Sequence, residues 1–407
     1  MSRGAPQDAA APRWLYPVLA LLTAIGAAAR LAHDPWIAHQ APAYARLLEG
    51  QLIMRDTADF HGIVPFVAGA TPFAGGHIGM EHYRAWLPVY GAGVVYFWTR
   101  DLYWSMALID LVSVWLGAVC MYRLARRLGV SSAGSAIAAV LTAASPVYAS
   151  VIWMQQIHGA NTASLVWGSY AALLVLDGEF DSGRAVWRST AAMGLALFGT
   201  SLLYNYVWVV VPCLFAVVAV EGTRRRARLL ILLLGVLGYA GLTIATRRAL
   251  TLAGWPLFPQ DSDPERRVLR LLQGAGESGA LVAVVKGMDP RHMASVFHPL
   301  PLLVGIAGMC LGTARLRVAG ALSTVLAAYQ GALADVPWAV INNYPFVYAG
   351  TGVAIVSIAS LARQARPRAG LWAACALTAL LVAVANVDVV GDYSLVRGAW
   401  IWLHAPI

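Results

Sequence analysis

The chain holds nine histidines: His33, His39, His61, His77, His82, His158, His292, His298 and His404. All of them fall in polar stretches or at the ends of apolar runs. Around them stand carboxylates (Asp34, Glu81), guanidinium groups (Arg84, Arg291), amides (Asn161, Asn205, Asn343) and a phenol (Tyr344). Several of these come in short polar strings. Gln155–Asn161 ends in His158, Gly159, Ala160 and Asn161; Tyr204, Asn205 and Tyr206 are consecutive; Asp289, Pro290, Arg291 and His292 form a third string. Asn342, Asn343, Tyr344 and Pro345 form a fourth. A carboxylate within hydrogen-bond reach of a hydroxyl can act as its general base. Arginine binds phosphate through charge-assisted hydrogen bonds. Aromatic faces and amide edges suit a hydroxyl-rich ligand. Each string alone is ordinary loop content; their convergence on one side of the molecule is the argument for a site.

Other chemistries are less well supplied. His77, Glu81 and His82 place two ligand types at i and i+4 and a third beside them. They match no zinc motif such as H-E-x-x-H, so no metal is assigned and no cofactor is expected; a divalent ion on that trio is the fallback. The four cysteines, Cys120, Cys213, Cys310 and Cys375, lie inside apolar segments, which disfavours a disulfide framework. Asp110 is the exception among the acids, because it sits within an apolar run. An ionisable residue at such depth is either a functional group or a partner for another helix.

The elements that must position these residues are apolar. The chain is 59% hydrophobic and 12% charged, with a mean hydropathy of +0.64, against roughly 25% charged in a soluble domain. Spanning helices need about 20 apolar residues. Eleven segments qualify approximately: 14–32, 103–122, 131–152, 162–176, 189–203, 205–220, 229–246, 293–313, 318–334, 344–362 and 370–389. The expected fold is therefore all-α and polytopic, a single transmembrane domain over residues 1–407. Arginine clusters follow every even-numbered segment: Arg123–Arg127, Arg184 and Arg188, Arg224–Arg228, Arg315 and Arg317, and Arg363–Arg368. Short arginine-rich loops stay cytoplasmic, which predicts an inside N-terminus and an outside C-terminus. The net charge of +9 is thus a topology signal, and nucleic acid is rejected as a partner.

Two long polar stretches, 33–102 and 247–292, fall on the outer side together with the histidines. Trp86–Trp98 and the region of Leu281–Val285 read as interfacial helices in those loops. No small-residue cleavage site follows the first apolar run, which is kept as an anchor. The Ala, Gly and Arg bias with a single lysine, Lys286, points to a high-GC bacterial genome and hence to a bacterial inner membrane.

The pattern resembles the GT-C class of membrane glycosyltransferases, the group with protein O-mannosyltransferases and the lipid A aminoarabinose transferase. A first helix is followed by a long outer loop. Ala107–Ser113 leads into Met121–Gly129, similar to a "Y-x-x-A-R-R-x-G" helix exit. Ser135–Pro146 resembles the third helix of the class, and Asn343-Tyr344-Pro345 resembles the tyrosine-containing entry of a late helix. The likeness covers most of residues 14–170 and is topological beyond. It implies a polyprenyl-phosphate sugar donor reached from the bilayer, a glycan, lipid or protein acceptor, and an outer carboxylate as base. Asp34 is the first choice and Glu81 the reserve. His39, His77, His82, Arg84, Asp110, His158, Asn161, Asn205, Arg291, His292, Asn343 and Tyr344 are the expected substrate-binding residues. The chain departs from the class where its acids are expected, since those positions hold His39 and Gln40. A non-catalytic GT-C-fold subunit or scaffold of an envelope complex is therefore the alternative. A transporter ranks third, because inverted repeats and mid-membrane polar residues are not evident.

Overall fold

The computed structural model describes residues 11–25, Val95, Trp98, 102–144, 158–178, Phe180, 182–203, 206–221, 224–252, 299–334, 343–366 and 368–393. Among these residues all regular structure is helical. The helices are α1 (Leu15–Ile25), α2 (Leu102–Arg127), α3 (Ser132–Ala143), α4 (His158–Leu176), α5 (Gly183–Leu203), α6 (Val207–Val220), α7 (Arg225–Leu252), α8 (Pro299–Leu311), α9 (Ala314–Ala334), α10 (Tyr344–Ala365) and α11 (Ala369–Tyr393). Each overlaps one of the eleven apolar segments. Of these, α7 over Arg225–Thr246 and α10 are long and apolar enough to cross a membrane. The interfacial helices expected in the two long loops lie outside the described residues, apart from the helical Val95 and Trp98.

Several helices run past their apolar stretches because arginine favours the helical state and complements the macrodipole at a C-terminus. α2 shows this well. Arg126 and Arg127 occupy its last turn, and Gly129 then takes φ +85°. Gly129 N–H donates to the Arg126 carbonyl at 3.0 Å and Val130 N–H to the Ala125 carbonyl at 2.9 Å. Those two bonds satisfy carbonyls that the helix end would leave orphaned, as a left-handed glycine cap does. Ser131 then caps α3 by accepting from Gly134 N–H at 3.2 Å. The α8–α9 turn closes on this corner. A methyl group on Gly129 would meet Thr313 Cγ2 at 2.6 Å, and Thr313 Oγ1 donates to the Leu128 carbonyl.

α10 and α6 form the interior. α10 is buried from Tyr344 to Gly352. It approaches α8 so closely that a side chain at Gly308 would strike the Gly350 carbonyl, and it meets α3 at Gly352 and Gly134. Small residues let helix backbones touch in this way where lipid removes the usual hydrophobic drive. α6 presents Val210, Leu214 and Val217 to the main core, and Cys213 Sγ lies 3.6 Å from the Ala319 carbonyl of α9. A smaller core of Leu15, Leu19, Ala118, Tyr122 and Ala139 joins α1 to α2 and α3.

The outer surface is apolar as well. Leu21, Leu195, Leu237, Leu303, Leu361 and Leu371 are 61–69% exposed. A water-soluble monomer does not show apolar surface on all sides. With a polar-poor composition and only helical regular structure among the described residues, this surface suits lipid surroundings.

Candidate functional site

The strongest polar constellation lies at one end of the bundle. Asp177, just past α4, is 4% exposed at its side chain. Its Oδ2 accepts from Arg127 Nη1 of α2 at 2.9 Å. Arg315 of α9 reaches the same carboxylate with two nitrogens, Nη2 to Oδ1 at 2.8 Å and Nη1 to Oδ2 at 3.2 Å. Arg228 of α7 stands 3.8 Å from Oδ1. Glu221, at the end of α6, pairs with both Arg228 and Arg315. Asp177, Arg315, Glu221 and Arg228 therefore form a closed ring of alternating charge, with Arg127 attached at Asp177. Arg315 also donates to the Arg127 carbonyl at 3.0 Å.

The ring has a structural logic. Buried charges persist only when paired and hydrogen-bonded. Here the partners come from the exits of α2, α4 and α6 and the starts of α7 and α9, so the ring fixes these ends on one side. Arginines read in sequence as orientation signals are thus, in three cases, interior ligands of carboxylates. Sequence reasoning passed over Asp177 and Glu221. A detectable signal existed, because each acid directly follows an apolar segment in a short loop that also holds an arginine cluster.

The ring also sets helix register. α2 and α4 pack along their length and meet at Arg127 and Asp177. At 1.5 Å per residue, Asp110 lies about 25 Å from Arg127 along α2, and Asn161 about 24 Å from Asp177 along α4. These two predicted site residues therefore occupy the same level on neighbouring helices, at the end away from the ring. His158 begins α4 just beyond them.

Asn343 and Tyr344 are placed differently from the sequence expectation of a helix end at the outer surface. Asn343 Nδ2 donates to Thr324 Oγ1 at 3.2 Å, and Thr324 in turn donates to the Gly320 carbonyl at 2.7 Å. Thr324 lies roughly 14 Å from Arg315 along α9, close to the middle of that helix. α10 thus starts inside the bundle. Asn343 is 0% exposed, and its Oδ1 has no hydrogen-bond partner among the described residues. Because Thr324 spends its proton on Gly320, Asn343 Nδ2 is fixed as the donor and Oδ1 as the open acceptor. Tyr344 is buried and meets Tyr348 edge to face, with ring centroids 5.7 Å apart.

Asp34, His39, His77, Glu81, His82, Arg84, Asn205, Arg291 and His292 lie outside the described residues. Among the described residues no group of His, Cys, Asp and Glu has the arrangement of a metal site.

No protein-family model matches this sequence, and no curated protein matches it either. Solved structures do match. One is the archaeal oligosaccharyltransferase AglB from Archaeoglobus fulgidus, in complex with an inhibitory peptide and a dolichol-phosphate. It is 13% identical with a TM-score of 0.56, and the match covers 94% of this chain and 56% of that one. The same organism's oligosaccharyltransferase in the apo form matches at a TM-score of 0.52 and 13% identity, over 92% of this chain and 56% of that one. The chain spans little more than half the length of these proteins. The likeness shows a fold shared with these two oligosaccharyltransferase structures; it favours neither of the two subgroups that the sequence resembled.

Proposed function

We propose that this chain is a membrane glycosyltransferase of the GT-C type, moving a sugar from a polyprenyl-phosphate donor to an acceptor at the outer face of a bacterial inner membrane. The observation that carries the reading is the fold shared with AglB over 94% of the chain. That neighbour holds a dolichol-phosphate, a lipid-linked phosphate of the kind a donor would leave behind.

The eleven helices cross the membrane as one domain, with the N-terminus cytoplasmic and the C-terminus outside. The arginine ring then marks the cytoplasmic side, and the level of Asp110 and Asn161 belongs to the outer half. Asp34 serves as general base for the acceptor hydroxyl, with Glu81 in reserve. Arg291 and Arg84 hold the donor phosphate and stabilise its charge as it leaves. His39, His77, His82, Asp110, His158, Asn161, Asn205, His292, Asn343 and Tyr344 line the path for sugar and acceptor. No cofactor is assigned.

A second reading, a non-catalytic subunit of an envelope complex, is favoured by His39 and Gln40 standing where acids of the class are expected. The two readings separate in one experiment. Purified protein is offered synthetic polyprenyl-phosphate sugars and a mixture of glycan, lipid and peptide acceptors. Sugar transfer supports the enzyme; inactivity with every donor supports the subunit.

A further inference from the structure

The turn between α10 and α11 carries Arg363, Arg366 and Arg368, and all three are exposed. No acidic residue occurs in the sequence between Asp335 and Asp388. Asp177 and Glu221, the carboxylates described at this end of the bundle, are already held in the arginine ring. The charge on the turn is therefore uncompensated among the described residues.

Its flanks are apolar. Leu361 is 66% exposed, Leu371 69% and Trp372 72%. Trp372 stands one helical turn beyond Arg368, its backbone N–H donating to the Arg368 carbonyl at 3.3 Å. An indole beside arginines at the edge of an exposed apolar face is what the headgroup layer of a bilayer accommodates. The pairing recurs on the same end of the bundle. Trp187 of α5 is 70% exposed between exposed Arg184 and Arg188, and Trp14 beside Arg13 stands in the turn just before α1. An acidic protein or an RNA would answer the charge. Neither would cover the exposed leucine and indole side chains at three separate helix starts, whereas one membrane leaflet covers both.

We propose that the α10–α11 turn is a docking surface for anionic phospholipid headgroups, whose phosphates Arg363, Arg366 and Arg368 bind while Trp372 sits at headgroup depth. The inference rests on the membrane reading of the chain and is independent of sugar transfer.

The test counts lipids retained by the full-length protein after extraction from bilayers of phosphatidylcholine mixed with phosphatidylglycerol, using native mass spectrometry. The parent should retain phosphatidylglycerol in preference to phosphatidylcholine. Arg363→Gln, Arg366→Gln and Arg368→Gln combined should abolish that preference, each arginine contributing on the order of fivefold. The corresponding lysine triple variant should keep most of it. Single Arg366→Gln and Arg368→Gln forms carry the test if the triple variant folds poorly. Equal phosphatidylglycerol retention by parent and glutamine variants would overturn the proposal. So would binding of an acidic peptide or RNA in place of vesicles. The readout uses no sugar donor, so an inactive enzyme leaves it standing.

Discussion

Asp177 and Arg315 are 138 residues apart in the chain and form a two-pronged ion pair, with nitrogen–oxygen distances of 2.8 and 3.2 Å. The pair closes the α8–α9 hairpin onto the exits of α2 and α4. Removing one member leaves the other side's charges buried without compensation, which costs about 3–5 kcal/mol. Asp177→Ala should therefore lower the thermal midpoint in detergent sharply. Arg315→Lys, which keeps the charge but loses the fork, should lower it less. A midpoint unchanged in Asp177→Ala would mean the ring is solvated and weak.

The glycines at helix crossings make a second, graded prediction. Gly308 and Gly350 have no room for a methyl group, whereas Gly199 and Gly241 face open space. Gly350→Ala should destabilise by roughly 1–3 kcal/mol through overpacking. Gly241→Ala should be neutral or stabilise by up to ~1 kcal/mol through helix propensity. Melting curves of the two variants measured side by side decide it.

Asn343 provides a way to separate structure from function. Asn343→Leu removes the bond to Thr324, worth about 1 kcal/mol net, and also removes the open Oδ1 acceptor. If that oxygen receives a substrate hydroxyl, transfer should fall far more than stability, and Thr324→Val should show the stability loss alone. Parallel losses in both variants would make Asn343 a packing residue.

Orientation is tested by labelling. In a background with the four free cysteines replaced, single cysteines at Ser182 and Ser262 should behave differently toward an impermeant thiol reagent. Ser182 stands at the start of α5, where its Oγ accepts from Ala185 N–H at 3.2 Å, on the side of the arginine ring. Only Ser262 should label in intact spheroplasts; labelling at Ser182 as well would contradict the proposed topology.

The helices were legible from apolar run length, and the shared side of several helix exits from the arginine alternation, because lipid imposes both patterns on sequence. Two features were not legible. Arg127, Arg228 and Arg315 carry the same signature as exposed arginines such as Arg226 and Arg317, and only three-dimensional proximity reveals Asp177 and Glu221 between them. The depth at which α10 starts was also hidden, since an apolar run gives a helix its length but not its height in a bundle. The Asn343–Thr324 bond supplies that height. Of the expected site, the register of Asp110 with Asn161 follows from the ring.

Glycosyl transfer from a lipid-linked donor is measured as turnover of a synthetic polyprenyl-phosphate sugar by purified protein. Parent, Asp34→Asn and Glu81→Gln are compared at equal folded concentration. The parental rate should fall by about 10²–10⁴-fold in Asp34→Asn, the range for loss of a general base, with a smaller loss in Glu81→Gln. Parental turnover in both variants would remove the base from Asp34 and Glu81. No turnover by the parent with any donor and acceptor would contradict the enzyme itself.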